Sequence, residues 1–191
     1  MKFGRSIPTT KNAMNYTVTK TVALILATMP KQCGKYLKLW TRLQTKGKIM
    51  NFKKAQIYSN QMLENNDCSV KAVSIACDVP YRVAHKALKK YGRQSRRGSR
   101  LPMIYASCEV LGFKMEKVAH IAKTVGQLPR DSNTQNGFYM AHVSGHILAI
   151  VNGKVEDWSE GSRRVVRGLY KVTPTVSRKE RAERKAKLMQ D

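Results

Sequence analysis

The chain has 191 residues, enough for one domain with a substantial core and an appended arm. Its formal net charge of +24 is the dominant compositional signal and implies an acidic partner, because such a field attracts polyanions and speeds their encounter. Four scattered cysteines with no two-residue ligand pair argue against a disulfide-stapled scaffold and a zinc knuckle, and no apolar run approaches the roughly 18 residues of a membrane span.

Residues 1–60 hold 12 Lys or Arg and no acid; the first carboxylate is Glu64. Residues 18–29 read as a helix stopped by Pro30. A second helix is expected over 35–45, with Tyr36, Leu37, Trp40 and Leu43 at helical spacing, and "NFKKAQIYSNQMLE" suggests a third. Residues 1–60 are therefore expected to form a basic helical arm or subdomain, with Lys35, Lys38 and Arg42 as candidate nucleic-acid contacts.

A short core helix is expected over 68–78, its buried stripe made by Val70, Val73, Ser74 and Cys77, with Asp67 as N-cap. Cys68 falls in the first turn, where unpaired N–H groups and positive potential favour a thiolate. Pro80 opens the next helix, with Val83, Ala84, Ala87, Leu88 and Tyr91 inward and His85 outside that stripe. The segment "RQSRRGSR" reads as a basic loop that adds Arg93, Arg96, Arg97 and Arg100 to the candidate nucleic-acid contacts. A helix in "LPMIYASCEVLG" should carry Cys108 in the core and end at Gly112.

Thereafter the period changes. Strands are expected at 138–143 and 146–151, followed by an Asn152-Gly153 hairpin turn, a returning strand through Val155 to Trp158, and a further strand over 164–172. Helices followed by an antiparallel sheet indicate an α+β fold. The last 15 residues carry six basic and three acidic side chains, with Ser177 and Glu180 in capping-box spacing, and read as a charged helix or tail. The expected division is thus 1–60, 61–176 and 177–191.

Three residues in this frame can carry nucleophilic chemistry. A thiol needs an imidazole to share its proton, and the imidazole needs an acceptor that fixes its tautomer. Cys68 opens a helix, His146 opens a strand directly after Gly145, and Asp157 lies beyond the Asn152-Gly153 turn. The hairpin register that would bring His146 and Asp157 onto one face is open at this level, as is the alternative of a structural Cys with unrelated polar sheet residues. His142, four residues before His146, is expected at a polar rim, and His120 has no evident partner. No resident metal site is expected.

The runs "NDCSVKAVSIACDVPYRVAHKALKKYGR" and "GFYMAHVSGHILAIVNGKVEDW" resemble the papain-like cysteine peptidase superfamily, in particular small bacteriophage and bacterial members similar to bacteriocin-processing, double-glycine peptidases. The resemblance spans about residues 60–172. It implies a central helix carrying the Cys, packed against an antiparallel sheet carrying the His and the Asp. It further implies Cys68, His146 and Asp157 as catalytic residues, a thioacyl intermediate, a peptide or isopeptide substrate and no cofactor. Members of that superfamily place a Gln six residues before the nucleophile to complete the oxyanion hole; here that position is Met62, so Gln61, Asn65 and Asn66 are the candidate donors. The expected role is a phage processing or virion-associated enzyme, located in the host cytoplasm or packaged in the virion among virion components. The second expectation is a noncatalytic protein of DNA or RNA binding, or of virion assembly, on the same fold.

Overall fold

The computed structural model describes residues 50–190; the helices expected over 18–29 and 35–45, with Cys33, Lys35, Lys38, Trp40 and Arg42, lie outside the described residues. The third expected helix is α1, Phe52–Gln61, capped by the Asn51 side chain on the Lys54 N–H. Its residue Ala55 is fully buried in the main core, so α1 packs with the residues that follow it, in the compact unit that begins at Ile49. Next come α2 (Cys68–Ala76), α3 (Tyr81–Lys90) and α4 (Leu101–Val110).

Three of these four helices end in the same way. After α1, the N–H groups of Leu63 and Glu64 reach back to the carbonyls of Asn60 and Ser59, a Schellman motif. Asp78 and Val79 repeat it after α2, and Gly92 and Arg93 after α3. The residue after the C-cap must then take positive φ: Gly92 does so without strain, whereas Leu63 (φ 52) and Asp78 (φ 47) carry a side chain there. Gly112, expected to end α4, has φ +81 and donates its N–H to Glu109.

After α4 comes a five-stranded antiparallel sheet of order β1-β5-β2-β3-β4, followed by a C-terminal helix. Its strands are β1 (Phe113–Val118), β2 (Phe138–Val143), β3 (His146–Val151), β4 (Lys154–Glu156) and β5 (Val166–Pro174). A 3-10 segment, Val125–Arg130, lies between β1 and β2. The returning strand expected through Trp158 stops at Glu156, and the last strand starts and ends two residues later than expected, at Val166 and Pro174. Asn152 and Gly153 both have positive φ, as a type I′ turn demands.

Both faces of the sheet are covered. Met140, Ile147, Ala149, Tyr170 and Val172 join the helices in the main core, while Tyr139, Ala141, Leu148, Ile150 and Leu169 meet Val125 and Leu128 on the other side. This explains why β3, "HILAIV", is almost continuously apolar. The molecule is therefore α+β, with helices packed on an antiparallel sheet. The C-terminal segment forms helix α5 (Arg178–Gln190), whose Glu180 N–H is bound by Ser177 Oγ and whose Leu188 is buried in the main core.

Two residues of the α3 segment differ from expectation, Tyr91 from the buried stripe and His85 from outside it. Tyr91 is 38% exposed because it forms the C-cap, where the chain turns away from the core. His85 is buried because its ring meets Glu64 at 2.8 Å, a partner 21 residues away.

Candidate thiol site

Helix α2 is apolar and small almost all round, so it sits inside the molecule: every residue from Ser69 to Ala76 except Lys71 is buried. Asp67 precedes it, yet its side chain makes no cap bond. The carboxylate turns inward instead, accepting from the Tyr81 hydroxyl at 2.6 Å and pairing with Lys71 Nζ at 2.8 Å. Burial pushes the Asp67 carboxyl up, but Lys71 and Tyr81 outweigh it and hold it below its usual range. The residue beside Cys68 is thus tied to both α2 and α3.

Cys68 is half-buried at the first turn. On the sheet side, Val143 pairs with His146 across the two-residue turn Ser144-Gly145, and Gly145 supplies the positive φ of +68 that this turn needs. The β3–β4 register pairs Ala149 with Glu156, so the hairpin returns Asp157 toward the start of β3, where His146 stands. Asp157 itself lies just beyond β4, where the chain bends. His146 Nε2 meets Asp157 Oδ2 at 2.9 Å, and the same oxygen accepts from the Ser159 N–H at 2.9 Å and from the Ser159 hydroxyl.

The Cys68 thiol and the His146 ring line the same cleft, near enough for each to alter the other's protonation. With Nε2 turned to Asp157, Nδ1 is the nitrogen left for sulfur. Burial pushes the Cys68 thiol up, but the His146 ring and its charge, with the backbone N–H groups of Ile147 and Ser69, bring it below the ordinary thiol value. Burial disfavours charge on His146, yet Asp157 and Cys68 raise its pKa from 6.5 to about 9. Asp157 is pushed up by burial and pulled down further by His146 and Ser159, so it remains a carboxylate. The arrangement favours a thiolate–imidazolium pair held by a carboxylate.

Cys77 and Cys108 contrast with this. Both are fully buried with sulfurs 3.8 Å apart, and burial beside a second thiol pushes Cys77 well up.

The thiol opens into a cleft of about 630 Å³ whose lining includes Asn65, Asn66, Gly98, Gly145 and Trp158. Gln61 does not line it: the side chain is exposed at the end of α1, one position off the inward stripe of Phe52, Ala55, Gln56 and Ser59. Asn66 lines it, but its Nδ2 is directed to the Arg96 carbonyl at 3.3 Å. Gln56 reaches the cleft from that inward stripe and was missed in the sequence; a lone amide among inward positions was the available signal. Its Nε2 donates to Asn60 at 2.7 Å, leaving the second N–H of the amide for a ligand.

Arg93 does not belong to a nucleic-acid surface. Its side chain has no solvent exposure and its guanidinium is 2.9 Å from Glu64 Oε2. Arg96 is also engaged, through its backbone N–H to Glu64 and its Nε to the Leu63 carbonyl. Arg97 is exposed beside them, and Arg100 is exposed at the N-cap of α4. His142 is half-buried on β2 opposite Ile147 and is not part of the cleft lining, and His120 holds the Ala122 carbonyl. Among the described residues, no group of three or more His, Cys, Asp or Glu is placed to hold a metal ion, and no helix is long and apolar enough to cross a membrane. Comparison with protein-family models, curated proteins and solved structures returned no match.

Proposed function

We propose that this protein is a thiol-dependent peptidase of papain-like type, cleaving a peptide or isopeptide bond. The observation that carries the reading is one cleft lined by Cys68, His146 and Asp157, in which His146 bonds Asp157 and Asp157 is held by Ser159. In this reading the Cys68 thiolate attacks the carbonyl carbon. The oxyanion so formed is met by the Cys68 backbone N–H, which the helix leaves without an intrahelical partner, and by the Gln56 or Asn65 amide. The His146 imidazolium gives its proton to the leaving amine as the carbon–nitrogen bond breaks, producing a thioester. Neutral His146 then takes a proton from water, whose oxygen displaces the thiolate and releases the acid. Asp157 keeps the ring oriented throughout without itself being protonated.

The test combines labelling with turnover. Iodoacetamide, with the modified residue identified by mass spectrometry, should label Cys68 before Cys77 and Cys108. Labelling should fall strongly in His146→Ala and less in Asp157→Asn, and a peptide library should be cleaved by the wild type but not by Cys68→Ala. Equal labelling of the buried cysteines, with Cys68 indifferent to loss of His146, would reject the dyad. A reactive Cys68 without turnover would favour the second reading, a noncatalytic nucleic-acid-binding or assembly protein. That reading draws on the net charge of +24 and on the exposed Arg97 and Arg100. It requires duplex binding that weakens steeply between about 50 and 200 mM salt.

A further inference from the structure

The cleft carries an imbalance of charge that acyl transfer does not use. Its three carboxylates are all occupied: Glu64 by Arg93, His85 and the Arg96 N–H, Asp67 by Tyr81 and Lys71, and Asp157 by His146 and Ser159. Of the cations lining it, Lys71 is paired with Asp67, whereas Arg164 has no carboxylate within ion-pair distance among the described residues. Arg164 instead lies over Trp158, its guanidinium carbon 4.9 Å from the ring centroid, and the same indole lies 5.5 Å from the His146 ring.

The backbone beneath Arg164 is pinned. Its carbonyl accepts from the Val125 N–H at 3.0 Å, Val165 bridges to Thr124, and the Val166 N–H bonds the Lys123 carbonyl at 2.9 Å. Gly126 lets this wall approach closely, since a Cβ there would stand 2.9 Å from the Gly161 carbonyl oxygen. A guanidinium held over an indole without a carboxylate partner keeps N–H groups available, and two of them in one plane can grip a carboxylate with parallel bonds.

We infer that Arg164, held on Trp158, is a carboxylate-binding subsite, and that the substrate is a peptide with an acidic side chain close to the bond attacked by Cys68. The inference rests on the thiol-peptidase reading and names its substrate class. An overall positive field alone would favour any anion anywhere on the surface. A single arginine over the indole that neighbours the imidazole favours one position in the peptide.

The experiment uses the full chain and pairs of peptidyl vinyl sulfones that differ only by Glu or Gln at one position, moved along the peptide in turn. The rate of Cys68 modification is read by mass spectrometry, each variant being normalised to its own rate with iodoacetamide. The expected result is a preference of about tenfold for Glu at one position. That preference should be lost in Arg164→Ala and reversed in favour of Gln in Arg164→Glu, but retained in Arg163→Ala. The absence of any Glu preference, or a preference that survives Arg164→Ala or falls equally in Arg163→Ala, would overturn the subsite while leaving the thiol reading intact. Protection of Cys68 by a single-stranded oligonucleotide, lost in Arg164→Ala and exceeding that by the Glu peptide amide, would overturn it in favour of a phosphate ligand. A Cys68 inert to iodoacetamide as well would remove the thiol reading and the subsite together.

Discussion

Replacing Glu64 by Gln should cost this fold more stability than its place on a surface loop suggests. The Glu64 carboxylate accepts from Arg93 at 2.9 Å and from the Arg96 N–H at 2.8 Å, and meets His85 at 2.8 Å. Burial pushes its pKa up, but Arg93, the Arg96 N–H and His85 together bring it down from 4.5 to about 2. At about 1.4 kcal/mol per pH unit that gap corresponds to roughly 3 kcal/mol of folding free energy. Discounting for water at the loop leaves about 2 kcal/mol. The charge left behind adds to the cost, because the Arg93 side chain is fully enclosed and two of its nitrogens already lack partners. Since the folded-state pKa is depressed, the stabilisation is complete above about pH 4.5 and is lost as pH falls through about 2. Denaturant unfolding of wild type and Glu64→Gln should therefore differ by about 2 kcal/mol at pH 7 and converge toward pH 2. A difference below about 0.5 kcal/mol at pH 7, or one that stays constant down to pH 2, would refute the reasoning.

Three further outcomes are expected. In Asp157→Asn the His146 pKa should fall from about 9 toward 6.5, so the alkaline limb of kcat/KM, which needs the imidazolium, should move down by more than one pH unit; an unmoved limb would remove Asp157 from its role. Gln56→Ala should lower kcat by about 10²-fold to 10³-fold with a smaller change in KM, as loss of an oxyanion donor does, and an unaltered kcat would leave Asn65 and the Cys68 N–H as the donors. Leu63→Gly should raise stability by about 0.5 kcal/mol, because relief of a left-handed leucine exceeds the added chain entropy; Leu63 is 72% exposed, so little packing is lost, and a lower unfolding midpoint would contradict this.

The parts of this structure that follow local rules could be read in advance. Asn152-Gly153 specified its turn through two positive φ angles, Gly112 ended α4, and the helical spacing of Val70, Val73, Ser74 and Cys77 located α2. The position of Cys68 at the start of a helix was legible for the same reason. What escaped were side chains committed to distant partners. Arg93 looked like one more member of a basic cluster, and only the approach of Glu64, 29 residues earlier, turns it inward. Asp67 has the composition of an N-cap, but the tertiary bond to Tyr81 outweighs the local one. Gln56 lies 12 residues before Cys68 and enters the cleft only because α1 packs across α2. Local propensity carries no information about such pairings.

The two halves of the thiol site have unequal support within the fold. Cys68 begins a helix enclosed on nearly every side, so the amides beyond its first turn should exchange with solvent only when the whole domain opens. Asp157 follows β4, a three-residue strand at the sheet edge, bonded along one side to β3 and fastened from outside the sheet by the Glu156 carboxylate on the Phe52 N–H at 3.0 Å. Such an edge can open alone, at a fraction of the global free energy. Each excursion would release the imidazole from its acceptor while sulfur and core stayed in place, so catalytic competence should disappear on warming before any calorimetric transition begins.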